Sequence, residues 1–215
     1  NVINPDDIIR DYGADSMRVY EMFMGPLQVT KPWSTNGLVG VHRFLDRIWR
    51  LSERRLTDEP LSRDMERLLH KSIKKVSQDT ENLEFNTAIS QMMILVNELF
   101  KQETLPRKAW EAFVLLLAPY APHLSEELWE KLGHTPSVSR VSFPEWNEEL
   151  ARDDEVTIVI QVNGKMRAKV QALADLSEQD LKELALNQKR IQELVNGKTP
   201  KKIITVPNKL VNIVL

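Results

Sequence analysis

Val156-Thr157-Ile158-Val159-Ile160-Gln161-Val162-Asn163-Gly164-Lys165-Met166-Arg167-Ala168-Lys169-Val170 is the stretch on which the fold class turns. Before it, apolar residues recur every three or four positions. Within it they alternate, and Asn163-Gly164 marks a hairpin. A two-residue loop would pair Val162 with Lys165 and Ile160 with Arg167. Cross-strand partners share a face, so that register places cations on the core side. The pattern therefore predicts a three-residue loop or a β-bulge, pairing Val162 with Met166, Ile160 with Ala168 and Ile158 with Val170. Arg167 and Lys169 then share the solvent face, with Lys165 at the tip.

Downstream, Ser177-Glu178-Gln179-Asp180 starts a helix like a capping box. Leu181, Leu184, Ile191 and Leu194 form its stripe, and Gly197 suits the position after its end. Strands over Lys201–Val206 and Leu210–Val214 follow, joined at Pro207-Asn208. Upstream, Asn4 caps a helix opened by Pro5, Gly13 ends it, and a second short helix runs to Met24. Longer helices are predicted over Asn36–Leu56, Ser62–Asn82, Phe85–Phe100, from Pro106, and over Leu124–Leu132. His134–Asp154 is irregular and carries Pro136 and Pro144, which sets a domain boundary near residue 150. The expected architecture is a mainly α helical bundle over 1–150, with 1–30 as linker helices, followed by a small α+β domain of ββαββ order over 151–215.

The 215 residues include no cysteine, which excludes a disulfide framework and a thiol nucleophile. The longest apolar runs, such as Ala112–Ala118, are far too short to span a bilayer, and no signal segment opens the chain. A soluble cytoplasmic monomer without membrane association is expected. The chain opens Asn1-Val2-Ile3-Asn4-Pro5 without an initiator Met, and an excerpt of a longer protein is expected. There is no phosphate-binding Gly-rich loop, nucleophile elbow or zinc-helix motif. His123 beside Glu126 and Glu127 reads as a structural hydrogen-bonder, not a metal ligand. Asp15 and Arg18, three apart on one helix, read as a local ion pair. No catalytic residue and no cofactor or metal site is assigned.

The cations are better organised. Arg43, Arg47, Arg50 and Arg54 fall within about 60° on one helix, opposite its apolar set. Arg63, Arg67, Lys71 and Lys74 make a second stripe. Either stripe is also what a solvated face with partners such as Asp46–Arg50 would show. Residues 1–150 hold 18 Lys+Arg against 23 Asp+Glu, whereas 156–215 hold 10 against 5, a net of +5. Lys165, Arg167 and Lys169, then Lys198, Lys201, Lys202 and Lys209, cluster in this second part. It contains no Phe, Trp or Tyr. That favours contact with the backbone and shape of a folded RNA over base stacking.

Leu116-Leu117-Ala118-Pro119-Tyr120-Ala121-Pro122-His123-Leu124-Ser125-Glu126-Glu127-Leu128-Trp129 resembles the end of the anticodon-binding bundle of class Ia aminoacyl-tRNA synthetases. Phe85-Asn86-Thr87-Ala88-Ile89-Ser90 and Arg43-Phe44-Leu45-Asp46-Arg47-Ile48-Trp49 resemble two other helices of that bundle. Asn1 to Asp7 and Tyr12 to Arg18 resemble the segment after the family's lysine-rich signature loop. Val162 to Lys169 and Ile204 to Asn212 resemble the C-terminal domain of the bacterial leucyl branch. The resemblance implies a parent enzyme that attaches leucine to tRNA(Leu) with ATP and Mg2+. In it the bundle lies along the tRNA body and the tethered C-terminal domain grips the outer corner. It implies that this chain binds tRNA beside the catalytic domain of the same parent and does not itself catalyse. Arg43, Arg47, Arg50, Lys165, Arg167, Lys169 and Lys209 are the motif-matching cations, while Lys198, Lys201 and Lys202 rest on charge alone. The alternatives are a valyl- or isoleucyl-type bundle, or a free-standing helical interaction module without an RNA role.

Overall fold

The computed structural model describes residues 3–152, 155–174, 176–196 and 200–215. The chain divides into two compact units, Asn1–Arg152 and Asp153–Leu215.

The first unit is a helical bundle with α1 (Pro5–Tyr12), α2 (Ala14–Phe23), α3 (Thr35–Leu51), α4 (Arg63–Glu81), α5 (Phe85–Lys101), α6 (Arg107–Leu117) and α7 (Pro122–Lys131). Side-chain caps set the starts. Asn4 accepts from Asp6 N, Ser34 from Gly37 N and Ser62 from Met65 N. The inward stripes are the ones the spacing marks: Val41, Phe44, Ile48 and Leu51 on α3, Leu69, Ile73 and Val76 on α4, Ile89, Met92, Val96 and Leu99 on α5. Each such burial stabilises by roughly 1.5–3 kcal/mol.

Helix α3 stops at Leu51, short of the expected Leu56. Ser52 Oγ donates to Trp49 O, and the chain then turns to pair Leu56 with Leu105 as the two-residue parallel strands β1 (Leu56–Thr57) and β2 (Leu105–Pro106). Arg54 therefore lies beyond the helix. It donates to Phe100 O and Gln102 O at 3.0 and 2.7 Å, tying this turn to the end of α5.

Helix α2 is fastened to its neighbours by polar groups. The buried Asp15 does not pair with Arg18. Its carboxylate accepts from Leu124 N at 2.7 Å and meets His123 Nδ1 at 2.8 Å, at the start of α7. Arg18 instead donates to Pro119 O at 2.9 Å. Ser16 meets His42 Nδ1 at 3.0 Å, and Tyr20 Oη accepts from Ser34 N at 2.7 Å. Gly37 permits that last approach, since a Cβ there would lie 2.9 Å from the Tyr20 ring.

The second unit is a four-stranded sheet, β3 (Glu155–Val162), β4 (Lys165–Leu173), β5 (Lys202–Val206) and β6 (Leu210–Val214), in the order β4-β3-β6-β5. The central β3–β6 pair is parallel and the outer pairs are antiparallel. The expected single helix is two, α8 (Glu178–Leu186) and α9 (Lys189–Val195), so the order is ββααββ. Gln188 is extended at φ −70°, ψ 124°, and its Nε2 donates to Leu184 O, closing α8 before α9 starts. Leu181, Ala185 and Ile191 cover Ile158, Ile160, Val162, Ala172, Val211 and Ile213.

The hairpin combines both devices. Its loop is the two-residue Asn163-Gly164, with φ of 50° and 76°, a geometry that Asn-Gly favours. Val162 thus pairs with Lys165 and not with Met166, but a register shift beyond Gln161 restores Ile160–Ala168 and Ile158–Val170 as expected. The extra residue is Arg167, which sits half-buried in the bulge and does not share the open face with Lys169.

Candidate nucleic-acid interface

The helices α8 and α9 cover one face of the small sheet. Strand parity places Lys169, Val159, Leu210 and Val206 in one row of the other face, and Met166, Gln161, Asn212 and Ile204 in the next. Lys202 shares that face at the end of β5. Met166, Ile204 and Val206 are exposed at 59%, 41% and 39%. The open face therefore has a partly apolar centre, with Lys202 toward the hairpin end and Lys169 and Lys209 toward the other, while Lys165, paired with Val162, sits at the tip on the helix side. Lys165, Lys169, Lys201, Lys202 and Lys209 are all exposed. Lys201 Nζ donates to Leu215 O at 3.3 Å.

Two details hold this surface. Asn212 Oδ1 accepts from Gly164 N at 3.1 Å, and Asn163 Oδ1 accepts from Leu215 N at 3.0 Å. The turn is thus clipped to β6, bringing the segments 162–169 and 204–212 side by side. Arg167 Nε is buried and has no hydrogen-bond partner. An unmet buried donor of this kind costs about 1–3 kcal/mol. Residues 155–174, with β3 and β4, and the segment 200–215 carry six Lys and Arg against one carboxylate side chain, Glu155. Lys198 and Gly197 lie outside the described residues.

In the bundle, Arg43, Asp46, Arg47 and Arg50 line a shallow depression of about 430 Å3 on α3. Arg43 and Arg50 are exposed. Arg47 is committed to the protein. Its Nη2 donates to Asn97 Oδ1 at 2.9 Å, and its guanidinium lies 4.7 Å from the centre of the Phe100 ring. Arg54 lies over the same ring at 5.0 Å. The second stripe is absorbed by the fold: Arg67 faces Asp64 at 3.7 Å, Lys74 pairs with Glu148, and Arg63 and Lys71 are also engaged.

A second depression, about 490 Å3, is lined by His123, Glu126, Glu127, Glu130 and His134. Three of these groups already have partners. His123 meets Asp15, His134 Nε2 meets Glu111 Oε1 at 2.9 Å, and Glu126 accepts from Ser137 Oγ and Val138 N. The Ser137 contact holds the Glu126 carboxyl below its usual range. Among the described residues no group of three or more His, Asp or Glu is placed to hold a metal ion, and no helix is long and apolar enough to cross a membrane.

Sequence reading missed the apolar centre of the open sheet face, although its signal was present. Val159, Ile204 and Val206 are apolar where a solvated face would be polar. It also passed over Lys189 and Arg190, exposed on α9 in the helix layer.

The family model for the anticodon-binding domain of tRNA ligases matches residues 62–182. A leucine–tRNA ligase of Borrelia garinii subsp. bavariensis is 51% identical over 216 residues, covering all of this chain and 26% of that protein. The fold matches a LeuRS chain in a ternary LeuRS–tRNA–LeuAMS complex from Agrobacterium radiobacter K84. The TM-score is 0.83 at 28% identity, covering all of this chain and 30% of that one. The chain thus spans about a quarter of the curated relative it matches.

Proposed function

The chain belongs to the anticodon-binding domain family of tRNA ligases, and from that premise we propose that it is the tRNA-binding, C-terminal part of a leucine–tRNA ligase. In this reading the parent attaches leucine to tRNA(Leu), and ATP, Mg2+ and the reacting groups belong to its catalytic domain, working in the cytoplasm. The residues described here position the RNA and supply no catalytic group. The bundle presents Arg43 and Arg50 to the tRNA body. The small unit presents the open sheet face to a folded, backbone-rich surface.

One observation carries this reading for the small unit: a sheet layer with six cations against a single carboxylate side chain, Glu155. Phosphate neutralisation with counterion release is what such a layer can do. Leucine rather than valine or isoleucine is supported by 51% identity to a leucine–tRNA ligase along the whole chain.

The test is binding to tRNA(Leu) and tRNA(Val) across a salt series, with and without residues 153–215. If the small unit neutralises about four phosphates, log K falls against log salt with a slope of about −3 to −4. Removing the unit should flatten that slope. Equal affinity for both tRNAs means that shape is read here and identity elsewhere. No binding to either at low salt refutes the proposal.

A further inference from the structure

Met166 stands apart from the other methionines. The chain has seven of them and no cysteine, so thioethers are its only sulfur nucleophiles. Met65 and Met92 are buried, at 5% and 0% exposure. Met17, Met22, Met24 and Met93 are partly buried and packed against the bundle core. Met166 is exposed at 59%. It follows the Asn163-Gly164 turn by two residues and faces away from α8 and α9.

Its neighbours on the open face matter to the chemistry. Gln161 lies directly across the β3–β4 pair from Met166, and Asn212 and Ile204 continue the same row. Directly opposed side chains have Cβ atoms about 4.5–5.5 Å apart. A carboxamide is an N–H donor, and a thioether sulfur is a weak acceptor for it. A sulfoxide oxygen is a stronger one. The row therefore accommodates an oxidised Met166 at least as well as a reduced one, and oxidation there does not disturb the core under α8 and α9.

We propose that Met166 is an oxidation site through which hydroperoxides weaken RNA binding by the open sheet face. The sulfur lone pair attacks one oxygen of hydrogen peroxide. The S–O bond forms, the O–O bond breaks, and the departing oxygen takes the proton of the transferred one and leaves as water. Sulfur is oxidised by two electrons and the peroxide is reduced by two. A dithiol reductase reverses the step, releasing the oxygen as water and ending as a disulfide. The product side chain is polar and chiral where the reduced one is apolar. It sets an oxygen of negative partial charge among Lys169, Lys202 and Lys209, where phosphates would bind, and removes an apolar contact from the centre of the face. This regulatory role rests on the tRNA-binding reading above, whereas the order of oxidation does not.

The experiment treats the whole chain with hydrogen peroxide and follows oxygen gain at each methionine by peptide mass spectrometry. Met166 should react about fivefold faster than any other methionine, following exposure. The chain oxidised at Met166 should bind tRNA(Leu) with Kd raised about fivefold, the loss expected when about half of a Met side chain stays wet. The salt slope should not change, because no cation is lost. In Met166→Leu, which has no sulfur there, the same treatment should leave Kd where it started. Another methionine reacting as fast as Met166 overturns the site. Met166 oxidised with Kd unchanged, in a chain that binds before treatment, overturns the regulatory role. An equal loss in treated Met166→Leu overturns it too, by tracing the effect to a different lesion. Failure of the untreated chain to bind tRNA(Leu) at low salt refutes the tRNA reading and the regulatory role with it, while the order of oxidation is still read by mass.

Discussion

Replacing Asp15 by alanine should weaken the bundle by about 2–3 kcal/mol, through a helix in which Asp15 does not lie. Helix α7 begins without a side-chain cap of its own, because its N-cap residue is Ala121. Pro122 at the first position has no N–H to satisfy. His123 N and Leu124 N remain, and both point at the Asp15 carboxylate, at 3.5 and 2.7 Å. The carboxylate is 11% exposed and also meets His123 Nδ1. Loss of a cap costs about 1 kcal/mol, and up to about 2 in folded proteins. A buried N–H left without an acceptor costs about 1–3 kcal/mol. The two descriptions overlap on Leu124 N, so they do not sum. Asn at position 15 keeps an oxygen acceptor and loses only the charge facing the helix dipole, which is worth about 0.3–1 kcal/mol. Urea unfolding followed by far-ultraviolet circular dichroism measures both. With m of about 2 kcal/mol/M, Asp15→Ala lowers the midpoint by about 1–1.5 M, and Asp15→Asn by less than half of that. An Asp15→Ala midpoint within about 0.2 M of the unmodified protein, at constant m, would refute the reasoning.

Arg43→Ala should weaken tRNA binding without changing the unfolding midpoint, whereas Arg47→Ala should also cost about 1 kcal/mol of stability, because it holds Asn97 and covers Phe100; parallel binding and urea titrations separate them. Lys169→Ala and Lys202→Ala should each flatten the slope of log K against log salt by about one unit. Gly164→Ala, at φ 76°, should destabilise the small unit by about 1–2 kcal/mol, read as loss of strand-amide protection in β3 and β4. The His70 pKa is held below 6.5 by burial first and by Lys108 second, with Glu66 opposing. A lowered folded-state value means stability is full above about pH 6.5 and is lost as pH falls through the depressed value. A protonated Nδ1 cannot accept from Asn147 N, so exchange at that amide, corrected for its intrinsic pH dependence, should accelerate as pH falls below 6.5 through the depressed value.

The hairpin shows how far pattern reading reaches. Alternation in β3 and β4 disagrees with an Asn-Gly turn by one residue, and the cross-strand rule turns that disagreement into a bulge, which forms. What it could not choose was the bulged residue, because a three-residue loop satisfies the same alternation. The split between α8 and α9 was not legible. Leu184 and Ile191, seven apart, stay nearly in phase on a continuous helix, so the stripe survives a break it does not reveal. The end of α3 was hidden for a related reason. Arg54 keeps the spacing of the arginine stripe, but its guanidinium is taken by the carbonyls of Phe100 and Gln102. Asp15 illustrates the limit most clearly. Its partners are more than a hundred residues away, and Arg18, three residues on, offers a local pairing that tertiary structure overrides. Among the candidate cations, spacing could not separate Arg43, which stays free, from Arg47, which packs.

The division of charge within the small unit bears on kinetics. On α8 and α9, Glu178, Asp180, Glu183 and Glu193 stand against Lys182, Lys189 and Arg190, a net of −1, whereas the strands and their turns carry six cations against Glu155 alone. Such a body is an electric dipole directed across its own thickness. In the field of a polyanion it experiences a torque that turns the sheet forward before contact, so fewer collisions arrive helix-first and fail. Steering of this kind accelerates association more than it slows departure. Exchanging a helix-layer carboxylate for a neutral amide, far from any contact, should therefore change the association rate and its ionic-strength dependence while leaving the dissociation rate nearly fixed.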